Sequence, residues 1–409
     1  MPHYAQPALN SMKRATDSFC IMPWVHFHSG QQGKVCACCI ANIPFGNVNQ
    51  QTIEEIWNGP EIRQFRLKLL NGEKDNRCST CFKREDAGHE SERQSVNQRF
   101  GTHIQKALRQ TQKNGQYPHT PVYWDIRFSN KCNFRCRTCW HGNSSRWFED
   151  AKKLSRNIGN QAIIQNITDT DSFFSQLDGL LSKTEEFYFA GGEPLIMDEH
   201  YHLLKVLDQR KLHHIHLRYN TNLSLLNYRE LDVLKIWKKF DRVTVQASLD
   251  ASGKLGEYIR KGQQWDKAIS NRKKMLEMCP EAEFVLCPTV STLNMEHLPN
   301  FLREWKSLGL LCYSSILLNL LERPYGYNIK SFSANEKQRI SALWNNFASE
   351  LSNPSLKTQI LSALNFMNSE DLCSHQKAFV KETTILDHMR NESFQSVMAE
   401  QKRPGKIVF

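Results

Sequence analysis

The residues most capable of chemistry are three closely spaced cysteines in the run Cys132-Asn-Phe-Arg-Cys136-Arg-Thr-Cys139. Thiolates at this C-x3-C-x2-C spacing can bind three irons of a [4Fe–4S] cube and leave the fourth iron open to a small molecule. A zinc site is the alternative, because His141 could supply the fourth ligand that a closed site needs. We favour the open cluster, since the cysteines follow a predicted strand, where the loops of (β/α) barrels carry the chemistry.

A second set of cysteines lies nearer the N-terminus, where six of the thirteen occur between Cys20 and Cys81. The spacing Cys20-x12-Gly33-x4-Cys38 precedes the pair Cys78-x2-Cys81. Paired cysteines of this kind are typical of metal sites, which hold either an iron–sulfur cluster or the zinc ion of a zinc ribbon. The sequence therefore predicts two metal-binding regions in series.

The composition indicates a globular protein of a reducing compartment. The chain has 409 residues and a net charge of +11, and its mean hydropathy is −0.56. No apolar run is long enough to cross a membrane, and the start MPHYAQPALNSMKRATDSF lacks the apolar region of a secretory signal. We therefore expect a cytoplasmic location, where cysteines serve as metal ligands rather than disulfides, and no membrane partner.

The basic charge is spread along the chain, which is typical of a solvated surface. No helix-turn-helix, zinc-finger or RNP-like pattern accompanies it, so we expect no nucleic-acid partner.

From residue 121 onward, β-rich runs alternate with helical stretches, which predicts parallel βαβ units. The six runs are 122–128, 186–192, 214–222, 242–250, 283–290 and 311–320. Six units fit the α/β class with a partial (β/α)6 TIM-like barrel better than a closed eight-fold barrel.

These patterns predict four segments. Residues 1–100 form a small cysteine-rich domain, and residues 101–120 form a helix and a linker, which is polar and ends in two prolines. The barrel covers residues 121–332, and residues 333–409 form a helical C-terminal extension.

The cysteine run after the first barrel strand, combined with Gly191-Gly192-Glu193-Pro194 at the end of the second, resembles the radical S-adenosylmethionine (SAM) family. The resemblance implies that Cys132, Cys136 and Cys139 hold a [4Fe–4S] cluster whose open iron binds SAM. It also implies that an electron from a reductant such as flavodoxin or ferredoxin cleaves SAM. The resulting 5′-deoxyadenosyl radical then takes a hydrogen atom from a substrate.

Other polar residues at strand ends resemble the family's SAM pocket, although such residues also serve as caps and turn formers. The resemblance implies SAM contacts for Gly191, Gly192, Glu193, Ser248, Asp250, Arg260 and Asn294. Among these, Glu193 would accept a hydrogen bond from the SAM amino group. The family often places an aromatic residue before the third cysteine, where this chain has Thr138, so Trp140 or Phe134 is expected to replace it.

Residues 18–90 resemble the SPASM and twitch domains of many radical SAM enzymes, and 52–72 resembles their helical insert. A twitch domain holds one auxiliary [4Fe–4S] cluster and a SPASM domain holds two. In the family this domain usually follows the barrel, whereas here it precedes it. We assign the ligands to Cys20, Cys38, Cys78 and Cys81, with Cys36 and Cys39 as competitors.

The sequence thus predicts a radical SAM enzyme. A peptide or protein is the favoured substrate, because related enzymes with auxiliary clusters often modify peptides. A small molecule such as a sugar or nucleotide is the alternative substrate. The alternative of another class is a zinc-stabilised nucleic-acid-binding module.

Overall fold

The computed structural model describes residues 18–86, 88 and 90–401. Residues 1–17 lie outside the described residues, and they include most of the segment from which we expect no secretory signal. The last eight residues of the C-terminal extension also lie outside them. The chain divides into two compact units. The first consists of residues 1–129, 164–190 and 198–218, and the second of residues 130–163, 191–197 and 219–409.

Helices and strands alternate along most of the chain. The strands are β1 (His26–Ser29), β2 (Lys34–Cys36), β3 (Pro44–Asn47), β4 (Tyr123–Ile126), β5 (Glu186–Phe189), β6 (His216–Thr221), β7 (Asn227–Tyr228), β8 (Leu231–Asp232), β9 (Val243–Ala247), β10 (Glu283–Leu286), β11 (Thr289–Val290) and β12 (Asn319–Leu320). The α-helices before β9 are α1 (Met22–Val25), α2 (Ile53–Trp57), α3 (Pro60–Leu70), α4 (Ser79–Asp86), α5 (Glu92–Arg99), α6 (Gly101–Gln110), α7 (Phe148–Lys153), α8 (Thr170–Asp178), α9 (Asp198–Gln209) and α10 (Val233–Trp237). Those after β9 are α11 (Gly253–Ile259), α12 (Trp265–Met278), α13 (Leu298–Ser307), α14 (Ala334–Ser349), α15 (Pro354–Asn368), α16 (Gln376–Arg390) and α17 (Phe394–Gln401).

The first unit is built on a sheet in which the first part of β6 is followed in order by β5, β4, β1, β2 and β3. Strands β1, β4 and β5 pair in parallel, and β2 and β3 add an antiparallel edge. The register places His26 beside Tyr123 and His28 beside Asp125. The cysteine-rich segment therefore contributes three strands, β1, β2 and β3, to the same sheet as the predicted barrel segment. The boundaries of the four segments stay a prediction.

In the second unit, residues 219–221 of β6 lie next to β9, which pairs in parallel with β10. These strands confirm the α/β class with a mainly parallel sheet. The sixth predicted run, 311–320, forms a strand only at β12, with an isolated bridge from Ile316 to Leu286. The predicted length is wrong because a turn interrupts the run, in which the Ser315 amide donates to the Cys312 carbonyl at 2.9 Å.

The C-terminal extension is helical, as predicted. Helix α14 begins with a capping box, in which Ser333 and Glu336 each accept a hydrogen bond from the other's backbone amide. Its buried residues Ile340, Trp344 and Phe347 recur at helical spacing and form its packed face. None of the described helices combines the length and the apolar composition that spanning a bilayer requires.

Candidate active site and iron–sulfur ligands

The loop after β4, which we call the cluster loop (residues 131–139), carries the three closely spaced cysteines within the second unit. Cys136 is buried, and Cys132 and Cys139 are partly buried. Burial raises the pKa of the Cys139 thiol to about 12, and the neighbouring Cys136 adds to this effect. Burial and the neighbouring thiols also raise the pKa of Cys132. Thiols in this environment stay protonated unless a metal replaces the proton, so their burial fits a metal site.

Backbone hydrogen bonds fix the path of the cluster loop. The Arg135 amide donates to the Lys261 carbonyl at 2.9 Å, and the Arg137 amide donates to the Ile259 carbonyl at 2.7 Å. The Trp147 indole donates to the Cys136 carbonyl at 2.7 Å. A loop held at these points can present its thiols without rearrangement, which a preorganised metal site needs.

The turn after β5 approaches the cluster loop closely. Gly191 and Gly192 have φ values of 81° and 54°, which favour glycine. A Cβ added to Gly192 would lie only 2.2 Å from the Lys131 carbonyl oxygen. The next amide, that of Glu193, donates to this same carbonyl at 2.8 Å. The Gly-Gly-Glu run is therefore placed directly against the residue that precedes Cys132.

Glu193 is 1% exposed, and its carboxylate accepts three hydrogen bonds. One oxygen accepts from the Thr221 hydroxyl at 2.7 Å and the Leu195 amide at 3.1 Å, and the other from the Asn222 amide at 2.7 Å. Burial raises the pKa of Glu193, while these three donors oppose the rise. A carboxylate has about four acceptor positions, so the oxygen that faces Asn222 keeps room for one more donor.

Arg260 links the cluster loop to the loop after β9. Its guanidinium pairs with Asp250 through contacts of 2.9 Å and 2.8 Å, and both side chains are buried. Another of its nitrogens lies 3.9 Å from Cys136 Sγ. Burial opposes the charge of Arg260, but Asp250 and Cys136 outweigh it and raise the pKa of Arg260. A fixed positive charge therefore lies beside one of the three thiols.

Asn294 and Ser248 mainly position other groups. Asn294 donates to the Asp250 carbonyl at 2.9 Å and to the Thr289 carbonyl at 3.0 Å, and it accepts from the Ser291 amide. The Ser248 hydroxyl donates to Asn220 at 2.7 Å. The structure thus places Asn294 behind Asp250, with its donors already used within the fold.

The auxiliary cysteines lie in the first unit. Burial raises the pKa of Cys20 to about 12, and the thiols of Cys78 and Cys81 add to the effect. Burial likewise raises the pKa of Cys38, and the neighbouring Cys39 and, more weakly, Cys20 add to the effect. The structure therefore places Cys20 near Cys78 and Cys81, and it places Cys38 near both Cys20 and the competing Cys39.

Of the two competing cysteines, Cys39 lies beside Cys38 and adds to the rise of its pKa. The charge that acts on the Cys36 thiol is that of Lys34. On the Cys39 thiol, Asp125 and Arg127 act with opposite signs, since Asp125 raises its pKa and Arg127 lowers it.

Comparison with protein families identifies the fold and its chemistry. Residues 126–304 match the model of the radical SAM superfamily, and residues 20–82 match the SPASM iron–sulfur cluster-binding domain. Residues 126–304 carry a radical SAM domain. A domain of this superfamily implies an enzyme that uses a [4Fe–4S] cluster and SAM, and the N-terminal SPASM match implies auxiliary iron–sulfur binding, as predicted.

Solved structures of radical SAM proteins are similar to this enzyme at low identity. Native anSMEcpe with bound AdoMet is 16% identical over 55% of this chain and 59% of its own, with a TM-score of 0.39. Streptococcus suis SuiB bound to S-adenosylmethionine is 14% identical over 71% of this chain and 62% of its own, with a TM-score of 0.33. The enzyme thus spans less than two thirds of either protein. A comparison with curated protein sequences finds no significant match.

The two aromatic candidates for the adenine contact differ in exposure. Phe134 is 2% exposed and lies beside Gly262, whereas Trp140 is 48% exposed. His141, which the sequence offers as a fourth zinc ligand, instead contacts the Ala162 carbonyl through Nε2 at 3.2 Å. In the radical SAM enzyme, His141 thus stabilises the path of the chain after the cysteines.

A set of ion pairs that no sequence motif marks, which we call the C-terminal clasp, joins the cluster loop to the C-terminal extension. Arg137 is fully buried and pairs with Asp387 and with Glu392, the latter at 2.7 Å. Arg390 pairs with Asp150 at 2.9 Å, and Asp150 also pairs with Arg135 at 3.0 Å. These residues are far apart in the sequence, so no local pattern predicts their pairing.

We expect the C-terminal clasp to stabilise the cluster loop. The double substitution Asp387→Asn with Glu392→Gln leaves the buried Arg137 charge without an anionic partner, which costs about 3–5 kcal/mol. The free energy of unfolding, from urea titration, should fall by that amount, and the iron content after reconstitution should fall with it.

The matched control is Glu382→Gln, because Glu382 pairs with Arg156 at a partly exposed position. This change should alter the free energy of unfolding by at most about 1 kcal/mol. Equal stability and equal iron content in the two variants would show that the clasp does not support the loop.

Proposed function

We propose that Cys132, Cys136 and Cys139 hold the SAM-binding cluster of this enzyme and that Glu193 binds the SAM amino group. The observation that carries the proposal is the contact between the Gly-Gly-Glu turn and the cluster loop, joined by the 2.8 Å bond from the Glu193 amide to the Lys131 carbonyl. This contact supports a ligand site beside the open iron. The remaining acceptor position of the Glu193 carboxylate suits an ammonium group.

When bound, the reduced cluster and SAM supply a 5′-deoxyadenosyl radical that takes a hydrogen atom from the substrate. The protein's own residues position these groups. Arg260 places a positive charge 3.9 Å from Cys136 Sγ, which stabilises the thiolate form of this ligand. Asp250 fixes the guanidinium through its two contacts, and Asn294 holds the backbone of Asp250.

We also propose that Cys20, Cys38, Cys78 and Cys81 ligate one auxiliary [4Fe–4S] cluster. The proximity of the Cys20 thiol to Cys78 and Cys81 supports this set, and Cys39, which lies beside Cys38, stays the competing ligand. The match of residues 20–82 to an iron–sulfur cluster-binding domain supports a cluster over a zinc ion at this site.

The proposed substrate is a peptide or protein, because the SPASM match extends over residues 20–82 and related enzymes with such domains often modify peptides. Flavodoxin or ferredoxin is the proposed reductant. All thirteen cysteines are free thiols, which supports the proposed cytoplasmic location.

A deuterium-transfer experiment tests the substrate class. The enzyme, SAM and dithionite are incubated with either the protein fraction or the small-metabolite fraction of fully deuterated host cells. Deuterium should appear in 5′-deoxyadenosine only with the protein fraction, because abstraction moves the label from the donor. Transfer only from the metabolite fraction would favour the small-molecule alternative.

Iron content tests the ligand sets. The anaerobically reconstituted enzyme should bind about eight irons, the sum of two four-iron cubes. The triple change Cys132→Ala, Cys136→Ala and Cys139→Ala should leave about four irons and abolish 5′-deoxyadenosine formation. The triple change Cys20→Ala, Cys78→Ala and Cys81→Ala should also leave about four irons but keep SAM cleavage. Iron analysis and chromatography of 5′-deoxyadenosine measure both effects.

The control for these variants removes two exposed cysteines, Cys312 and Cys373, and should keep all eight irons. An unmodified enzyme with about four irons would contradict the auxiliary cluster.

The substitution Glu193→Gln tests the SAM contact. Gln keeps the shape of the side chain but loses its charge. The NH2 group of Gln would replace one carboxylate oxygen, so it would face either the backbone amide of Asn222 or the hydroxyl of Thr221, which are both donors. The affinity for SAM should therefore fall, by tenfold for each roughly 1.4 kcal/mol lost, while the iron content stays normal. Equilibrium dialysis with SAM measures the effect, and the exposed Glu277→Gln is the control. Unchanged SAM affinity would show that Glu193 acts only as a turn residue.

A further inference from the structure

Three side chains of metal-binding type converge on one face of the sheet in the first unit. His26 and His28 lie two residues apart on β1, so both point to the same face. Asp125 lies opposite His28 on the parallel strand β4. One ligand atom from each of the three side chains lies within 4.8 Å of the other two. All three residues are buried, with exposures of 3%, 6% and 1%.

The imidazole of His26 has one nitrogen engaged and one available. Its Nδ1 contacts the Ala37 carbonyl at 3.3 Å, and because a carbonyl can only accept, this nitrogen carries the proton. Nε2 then has the lone pair, and within the described part of the chain it has no hydrogen-bond partner. Burial lowers the pKa of His26 to about 3, so the ring is uncharged at neutral pH. A buried nitrogen without a partner is costly in a purely structural network.

His28 and Asp125 contact each other directly. His28 Nδ1 lies 2.8 Å from Asp125 Oδ2, which is a hydrogen-bond distance. Ligands that bind tetrahedral zinc at about 2.0 Å lie about 3.3 Å apart, so an ion that replaces the shared proton needs this contact to open by only about 0.5 Å. Arg127 donates to both carboxylate oxygens, from Nε to Oδ1 at 3.2 Å and from Nη2 to Oδ2 at 3.3 Å. A guanidinium in this position orients the carboxylate, and its contact with Oδ2 would loosen when that oxygen binds an ion.

We propose that His26, His28 and Asp125 bind one divalent first-row transition-metal ion, separate from the iron–sulfur clusters. Two imidazoles and one carboxylate form the ligand set of catalytic zinc sites and of non-haem iron(II) sites, whereas magnesium and calcium prefer oxygen ligands alone. Three protein ligands leave at least one coordination position open. The site therefore takes zinc or iron(II), and we use zinc as the probe because its binding can be measured beside the iron of the clusters.

Zinc binding to the reconstituted, cluster-loaded enzyme tests the proposal. After dialysis against micromolar zinc and removal of excess metal, elemental analysis should find one zinc per chain. The double substitution His26→Gln with His28→Gln should weaken zinc binding at least tenfold without changing the iron content. The control His202→Gln with His213→Gln alters histidines outside the site and should keep the zinc.

X-ray absorption at the zinc edge of the unmodified enzyme keeps the test decisive if the double variant does not fold. Imidazole and oxygen scatterers at about 2.0–2.1 Å are expected, whereas sulfur at about 2.3 Å would place the zinc at cysteines and overturn the proposal. Absence of bound zinc in the unmodified enzyme, or full retention of zinc by the folded His26 and His28 variant, would also overturn it.

Discussion

The proposed SAM site depends on one close backbone approach, that of Gly192 to the Lys131 carbonyl. The Cβ of any side chain at Gly192 would lie 2.2 Å from that oxygen, so only glycine lets the turn at residues 191–193 meet the cluster loop. This approach brings Glu193 to the chain that leads into Cys132. The buried carboxylate of Glu193 in turn binds the amide of Asn222 and the hydroxyl of Thr221 at the end of β6. One steric condition thus joins three segments of the second unit, around Lys131, Gly192 and Asn222.

Charge on the cluster loop is balanced by residues that come much later in the chain. Arg260 lies near Cys136 and is neutralised by Asp250. Arg137, between the second and third cysteines, is neutralised by carboxylates of the C-terminal extension. Because a buried charge without a partner is costly, we expect the folded C-terminal helices to stabilise this conformation of the loop.

The α/β class, the parallel sheet and the N-terminal iron–sulfur domain could be predicted from the sequence, because cysteine spacing and strand periodicity are local signals. Pairings between distant residues could not be predicted. The clasp joins Arg137 to Asp387 across 250 residues, and no motif marks either partner. The alternation His26-Phe-His28 does signal one face of a strand, but only the pairing of β1 with β4 reveals that Asp125 lies on the same face. The turn within 311–320 could not be predicted, because the residues of this run favour strands.

We propose above that Cys132, Cys136 and Cys139 hold a cluster with one iron open to SAM. Mössbauer spectroscopy of the ⁵⁷Fe-labelled variant that lacks Cys20, Cys78 and Cys81 tests it directly, because this variant should contain only that cluster. Addition of SAM should give one of the four irons a distinct signal, at an intensity ratio of about three to one, since its ligands change to nitrogen and oxygen. Four irons whose signals do not change when SAM is added would contradict the account.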